Sequence, residues 1–141
     1  MTLASSVMPI RASSFGGLFD CAMRWEGIHL LGMRMPGSPR ALIGTGVHGG
    51  TAAFDQARVE GHPIRIDDAA GHTIDTIAER IAHEGVHWSA SEPNRKEVER
   101  IALRLTTAYC ADISPRYEFS SVELTTKPMD IDCGGGVIVR L

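Results

Sequence analysis

Residues 44–50 combine the types and spacing needed for a site on a helix. The run Gly44-Thr45-Gly46-Val47-His48, followed by glycines at 49 and 50, places one histidine among small residues. Each glycine lowers helix stability by roughly 1 kcal/mol relative to alanine. A helix that contains several glycines usually needs close approach by another backbone or by a ligand. His48 is therefore a candidate site residue, and the alternative is a tight helix crossing that leaves the histidine at the surface.

A second run, His83-Glu84-Gly85-Val86-His87, matches the H-E-x-x-H pattern. On a helix, two histidines in this pattern bind zinc and the glutamate activates water. At about 100° per residue, both histidines fall opposite an apolar face made by isoleucines 74, 77 and 81, so they are expected to face solvent. Gly85 also indicates that the helix ends here, and no third ligand lies at an expected spacing. Zinc bound by His83 and His87 is a minor alternative to exposed histidines at a helix end.

The three cysteines do not form a metal-binding pattern. Cys21, Cys110 and Cys133 are widely spaced and odd in number, which favours reduced thiols in a cytosolic compartment over a disulfide framework. Cys21 and Cys110 are expected on helices as small core residues. The paired aspartates 130 and 132 lie at a turn, where such a pair can bind a cation but is usually solvated.

Composition gives no overall attraction to nucleic acid, because the formal net charge is -3. Any such contact has to be local, and the basic residues of the first third of the chain are its candidates: Arg11, Arg24, Arg34 and Arg40. The sequence has neither a signal-peptide pattern nor an apolar run long enough to span a membrane. We therefore expect a cytoplasmic protein.

Four helices are predicted to position these residues. Their start signals are capping residues and capping-box pairs. The predicted helices run from Ser13 or Ser14 to about Gly27, from Pro39 to Arg58 behind the cap Ser38, from a cap at Asp67 or Asp68 toward Gly85, and from a cap at Asn94 to a point before Pro115. The last has an apolar stripe at positions 98, 101, 102, 105 and 108.

The pattern changes to β-forming residues after Pro115. Tyr117–Thr126 and Val137–Leu141 predict two strands joined by a glycine-rich turn at Asp132–Gly136. A hairpin without a third strand leaves unpaired edges. The predicted fold class is α+β, a single domain over 1–141 in which 1–114 are mainly helical and 115–141 form an antiparallel β-hairpin.

The order of these features resembles the RecB-like branch of the PD-(D/E)XK nucleases, including many phage members. Arg11-Ala12-Ser13-Ser14 resembles the opening of that family, ahead of a helix with Cys21-Ala-Met-Arg24-Trp25. Pro39 to His48 is similar to its G-x-x-x-H block. Tyr117–Leu141, with Glu123, is similar to the first hairpin of its nuclease sheet. The resemblance predicts a partial PD-(D/E)XK fold.

The resemblance implies roles for individual residues. His48 matches the position that helps to hold magnesium or manganese in active relatives, and Glu123 matches an acidic residue near it. Arg11, Arg24, Arg40, Gly44 and Thr45 are the implied contacts to nucleic acid or a partner. Cys21 matches the first cysteine of iron–sulfur relatives, but the other cysteines lack the required spacing, so a cluster is not expected. The later metal-binding aspartate and D/E-x-K pair are absent from the 141 residues, so this chain is not expected to cut DNA.

Three functional hypotheses follow. The first is a non-catalytic binding protein derived from the N-terminal part of such a nuclease, which acts through protein partners or self-association at the hairpin edge. If it is phage-borne, the partner is a host nuclease or defence complex. The second is a fragment or subunit of a metal-dependent DNA nuclease whose remaining catalytic residues come from elsewhere. The third is a zinc peptidase that uses the His83–His87 run.

Overall fold

The computed structural model describes residues 6–10, 12–33, 36–124 and 127–141. Within these ranges it has five α-helices and one three-stranded sheet, which confirms the predicted α+β class. The elements are β1 (Ser6–Pro9), α1 (Phe15–Asp20), α2 (Ala22–His29), α3 (Pro39–Val59), α4 (Ile66–Glu84), α5 (Arg95–Ala108), β2 (Asp130–Asp132) and β3 (Val137–Arg140). A π-helical turn (Tyr109–Ile113) and a 3-10 turn (Ser114–Arg116) follow α5.

The chain divides into two compact units. One is continuous in sequence, Met35–Leu124, and contains α3, α4 and α5. The other combines Met1–Arg34 with Thr125–Leu141 and contains the two short helices and the sheet. The candidate site described below lies entirely within Met35–Leu124, which is called the helical unit.

Helix α3 begins and ends where its sequence predicts. The Ser38 hydroxyl accepts a hydrogen bond from the Ala41 amide at 3.2 Å, and Pro39 occupies the first turn, where its missing N–H has no cost. After Val59 the chain leaves the helix, and Gly61 adopts a positive φ of 76° that other residues rarely accept. These signals fix a helix of 21 residues.

Three of the glycines in α3 allow α4 to pack unusually close. A Cβ atom added at Gly46 would lie 2.6 Å from the Ile77 side chain, and one at Gly50 would lie 2.1 Å from the Thr73 hydroxyl. Gly49 is equally close to Thr76. Gly44, in contrast, has open space around it. The close packing predicted for this run is therefore real, but it lies on the α4 side of α3, and His48 itself is exposed.

Helices α4 and α5 complete the core of the helical unit. Ile77, Val98 and Ala102 are fully buried together with Leu42, and the buried hydroxyls of Thr73 and Thr106 bond each other at 2.9 Å. Asn94 caps α5 as predicted, with Glu97 closing the capping box. The buried stripe of α5 differs from the predicted one because positions 98, 102 and 106 face inward, whereas position 105 is half exposed.

The start of α4 differs slightly from the prediction. The helix begins at Ile66, and Arg65 rather than Asp67 or Asp68 is the residue before it. Asp68 still closes the first turn, because its carboxylate accepts a hydrogen bond from the Arg65 amide at 2.9 Å. Both aspartates lie in the first turn, where negative charge stabilises the helix dipole.

The single first helix predicted to run to about Gly27 is two helices in the structure. The chain breaks at Cys21, whose φ of −157° and ψ of 96° are extended. Gly16 and Gly17 lie in the first turn of α1 and lower its helix propensity. Cys21 is consequently exposed between two helices, which corrects its assignment to a helix and to the core.

The predicted hairpin strand at Tyr117–Thr126 is wrong. Residues 117–124 form no strand, and Thr125 and Thr126 lie outside the described residues. The strand that pairs antiparallel with β3 is β2, and β1 pairs with β3 in parallel on its other side. The expectation that no third strand exists is therefore also wrong. Residues with high β-propensity form a strand only where a partner strand is available.

The glycine-rich turn between β2 and β3 is confirmed. Gly134, Gly135 and Gly136 all have positive φ values, 81°, 61° and 82°. The Asp132 carboxylate accepts from the Gly134 amide, and Asp130 pairs across the strands with Arg140 through two bonds of 2.7 Å. This pairing with Arg140 lowers the pKa of Asp130.

Candidate functional site

One face of α3 borders a cleft of about 280 Å³ in the helical unit. His48, Thr51 or Ala52, and Asp55 follow one another at three- or four-residue spacing, so they share this face. The opposite wall is the non-helical segment that follows the 3-10 turn. The complete lining is His48, Thr51, Ala52, Asp55, Tyr109, Phe119, Ser121, Val122 and Glu123.

His48 and Glu123 meet at the mouth of this cleft. The Nε2 atom of His48 contacts the Oε1 atom of Glu123, and their side chains are 67% and 60% exposed. The structure therefore brings together the two residues for which the nuclease resemblance implies a shared site. Because both side chains are exposed, their attraction adds little stability by itself.

Glu123 has an unusual backbone conformation. Among the described residues other than glycine, it is the one with a positive φ, 52°. A residue with a Cβ atom in this left-handed region costs about 1 kcal/mol. Such strain persists where surrounding contacts impose it, and it is concentrated at functional sites.

Deeper in the cleft, Asp55 is the centre of a buried polar network. Its exposed fraction is 5%. One carboxylate oxygen accepts from the Tyr109 hydroxyl at 2.6 Å, and the other accepts from the Ser114 hydroxyl. Asp55 thus joins α3 to the turns that follow α5, and its negative charge is balanced by two hydroxyl donors and by Arg58 at 3.7 Å.

This network shifts two neighbouring groups. Burial raises the pKa of Tyr109 from 10.0 to about 12, and its hydrogen bond to Asp55 acts in the same direction. Burial also raises the pKa of the Cys110 thiol from 9.0 to about 11, with the Asp55 charge as the second cause. Cys110 is 2% exposed and packs with Phe54 and Ala69, as the sequence predicts for a core cysteine. Neither group is a ready nucleophile, because both hold their protons at neutral pH.

Arg58 connects α3 to the segment that leads to Glu123. Its guanidinium donates to the Ser114 carbonyl at 2.7 Å, to the Ser114 hydroxyl, and to the Tyr117 carbonyl at 3.2 Å. Its Cζ atom lies 5.7 Å from the centroid of the Phe119 ring. One planar side chain therefore holds three successive parts of the segment.

The mouth of the cleft has one imidazole nitrogen and one carboxylate oxygen, which are both types of metal ligand and are in direct contact with each other. Carboxylate oxygen suits both Mn²⁺ and Mg²⁺, and an imidazole ligand favours Mn²⁺ over Mg²⁺, which takes oxygen ligands and keeps its waters. Within the described ranges, no three His, Cys, Asp or Glu side chains come together as metal ligands. His48 and Glu123 can therefore supply only part of a metal site, and water or other groups have to complete it.

The predicted contact residues lie in different places. Gly44 and Arg40 are exposed on α3, and Arg24 is exposed on α2. Thr45 is half buried, and its hydroxyl donates to the Ala41 carbonyl at 3.0 Å. Arg11 and Arg34 lie outside the described residues.

The His83–His87 run does not form the helical zinc motif. Helix α4 ends at Glu84, Gly85 has a φ of 67°, and Val86 bridges to Gly37. His83 is thus the last histidine on the helix, and His87 follows it in a non-helical segment. Both are exposed; the exposure of His83 agrees with the periodicity of α4, whereas His87 lies beyond the end of the helix. The one-turn spacing that H-E-x-x-H chemistry requires is lost.

Sequence reasoning missed Asp55, Arg58, Tyr109, Ser114 and Phe119. The signal for the first two was available, because they continue the face of His48 along α3 at positions 55 and 58. The others come from turns whose backbone path has no regular period. Their approach to α3 depends on the π-helical turn after α5.

Comparisons with protein-family models, with curated proteins and with solved structures returned no match. No helix in the described part of the chain is both long and apolar enough to cross a membrane. The contacts of its own residues are therefore the basis for assigning this protein a function.

Proposed function

We propose that this protein is a nuclease-related binding protein in which His48 and Glu123 hold a divalent cation, with Mn²⁺ preferred over Mg²⁺. The observation that carries the proposal is the convergence of these two side chains at one cleft, from α3 and from a segment distant in sequence. The resemblance of residues 39–48 to a G-x-x-x-H block supports the same assignment.

His48 and Glu123 alone provide too few metal ligands for hydrolysis of DNA. Two-metal nucleases need carboxylates to bridge the ions and a further group to activate water. An imidazole and one carboxylate leave most coordination positions to water, so the cation is weakly held. We accordingly propose that this protein, by itself, binds the cation but does not cleave DNA.

Metal titration tests this proposal. Free Mn²⁺ is measured by electron paramagnetic resonance as purified protein is added. His48→Ala and Glu123→Gln should each weaken Mn²⁺ binding about tenfold or more, since loss of a side chain that binds the metal costs at least as much as loss of one that only orients such a ligand. His83→Ala is the matched control, because it removes an exposed histidine far along a different helix. Unchanged Mn²⁺ affinity in His48→Ala and Glu123→Gln contradicts the proposal.

A cleavage assay separates binding from catalysis. Linear duplex and single-stranded DNA are incubated with the protein and Mn²⁺, with and without a partner fraction. Cleavage by the protein alone, abolished in His48→Ala, would replace this proposal with the nuclease one. In that second candidate, another chain or segment contributes the carboxylates and lysine to the His48–Glu123 pair.

A third candidate, protein binding through the sheet, is favoured by its edges. β3 is the central strand, so β1 and β2 each have one described neighbour. An edge strand can accept a strand from a partner or from a second copy. In a phage setting, that partner would be a host nuclease or defence complex that the protein blocks. Size-exclusion chromatography and pull-down experiments that return only a monomer without partners would contradict this candidate.

A further inference from the structure

We infer that Arg58 is a positioning residue for the cation site, because it fixes the segment that places Glu123 opposite His48. This inference rests on the proposed function and names a residue that acts on the same site without contacting the cation. It starts from the fact that Glu123 belongs to neither a helix nor a strand. Regular backbone hydrogen bonding therefore does not set its position.

The segment from Ser114 to Glu123 runs back along α3. Its beginning contacts Arg58, near the C-terminal end of α3, and its end contacts His48. The axial rise between positions 48 and 58 is about 15 Å. The segment is thus attached to the helix at two separated points, and the His48 end is the exposed and weaker one.

The Arg58 attachment is the stronger point for three reasons. Its guanidinium makes hydrogen bonds to Ser114 and Tyr117, and it also lies over the Phe119 ring. Its own side chain is only 28% exposed, so its hydrogen bonds to Ser114 are partly shielded from water. Asp55, one turn earlier on α3, orients both Arg58 and the Ser114 hydroxyl that Arg58 contacts.

The strained backbone at Glu123 is consistent with this arrangement. A free segment would relax to a negative φ, whereas Glu123 has a φ of 52°. The backbone that leads to Glu123 has little conformational freedom. It is restrained at Ser114, Tyr117 and Phe119 on one side and by the contact with His48 on the other. Loss of the Arg58 contacts should therefore let Glu123 move away from His48, although both metal ligands are still present.

The first measurement is amide hydrogen exchange of the full chain. Arg58→Met should raise exchange at the Tyr117 amide, which donates to the Ser114 carbonyl at 3.1 Å, while leaving α4 and α5 protected. Arg58→Lys keeps the charge but loses the planar fork, so it should give a smaller increase. Arg95→Met is the matched control, because Arg95 makes a single ion pair with Glu99 on α5. Exchange that is unchanged in both Arg58 variants overturns the inference.

The second measurement is a double-mutant cycle on Mn²⁺ affinity. Arg58→Met should weaken Mn²⁺ binding about tenfold in the wild-type background, the effect typical of a residue that orients a ligand. In the Glu123→Gln background the same change should have little effect, because the ligand that Arg58 positions is already lost. A general structural defect would instead weaken binding equally in both backgrounds and would overturn the inference.

The two measurements distinguish the failure of the inference from that of the proposed function. If His48→Ala and Glu123→Gln weaken Mn²⁺ binding but Arg58→Met leaves it unchanged, Arg58 has no positioning role and the proposed function stands. If none of these variants changes Mn²⁺ affinity, the proposed function fails and the inference fails with it. Should Arg58→Met not fold, Arg58→Lys is carried through the same cycle, with the same outcomes in smaller amplitude.

Discussion

At the scale of single residues, the glycines of α3 have opposite roles that sequence cannot distinguish. Gly50 lies against the carbonyl oxygen of Ala69 and the hydroxyl of Thr73, whereas Gly44 has nothing near it. The first is required by the helix crossing. The second only lowers helix propensity. The block of residues 39–48 that resembles the nuclease family contains the closely packed Gly46 as well as Gly44, so the resemblance does not separate packing from chemistry.

Two alanine substitutions test this difference. Gly50→Ala should lower the free energy of unfolding by about 2–3 kcal/mol, because its Cβ atom would lie 2.7 Å from a backbone oxygen that cannot move freely. Gly44→Ala should raise it by about 0.5–1 kcal/mol, since the new methyl group meets open space in a helix. Urea denaturation measures both. Equal effects at the two positions would contradict the helix crossing described here.

At the scale of secondary-structure elements, local signals predicted the long helices well. Ser38 with Pro39, and Asn94 with Glu97, are contained within a few residues, and the structure has α3 and α5 where these signals place them. The contact between His48 and Glu123 was expected only from the resemblance to the nuclease family. No local sequence pattern predicts it, because the two residues are distant in sequence.

The predictions of the strand at Tyr117 and of the strand pairing were wrong because they depend on interactions between distant parts of the chain. Parallel pairing of β1 with β3 joins the first and last described elements, and no short-range pattern encodes such a pairing. The β-forming run at Tyr117 forms no strand, and instead its Phe119 ring lies beside Arg58 and its Tyr117 ring lies against that of Phe119. Residues 109–116 form a π-helical and a 3-10 turn, which place Tyr109 and Ser114 on Asp55.

The stability that the contacts between α3 and residues 109–116 give to the fold should decrease at alkaline pH. Folding raises the pKa of Tyr109 from 10.0 to about 12. The folded state therefore keeps its tyrosine proton when the unfolded state begins to lose it, so the stabilisation is complete below pH 10 and is lost as pH rises toward 12. Urea denaturation between pH 8 and 11 should show a smaller loss of stability for Tyr109→Phe than for wild type.

Cys110→Ala is the companion variant for this measurement. The Cys110 pKa is raised from 9.0 to about 11, so its contribution is lost from pH 9 upward, one unit earlier than that of Tyr109. The two variants should therefore reduce the pH dependence of the free energy of unfolding in different pH ranges, Cys110→Ala from pH 9 upward and Tyr109→Phe from pH 10 upward. Parallel curves for wild type and both variants would show that burial around Asp55 does not control these protons.

At the scale of the whole molecule, the helical unit contains both the core and the candidate site. The two clusters of buried apolar residues, around Ile77 and around Phe54, lie within Met35–Leu124. So do His48, Glu123 and Arg58. The other unit is assembled from two separate stretches of sequence, and its sheet is made of strands of three or four residues. Short strands contribute limited stability by themselves.

Residues 35–124 expressed alone should consequently fold and keep the cation site. We expect a helical circular dichroism spectrum, a cooperative thermal transition and the Mn²⁺ affinity of the full chain, because every contact that positions His48 and Glu123 in the site described here lies inside this range. Leu42→Ala in the same fragment is the control, since loss of a buried leucine should lower stability by about 2–5 kcal/mol. A fragment that melts without cooperativity would show that the helical unit depends on the rest of the chain. One that folds but no longer binds Mn²⁺ would show that the site needs groups outside residues 35–124.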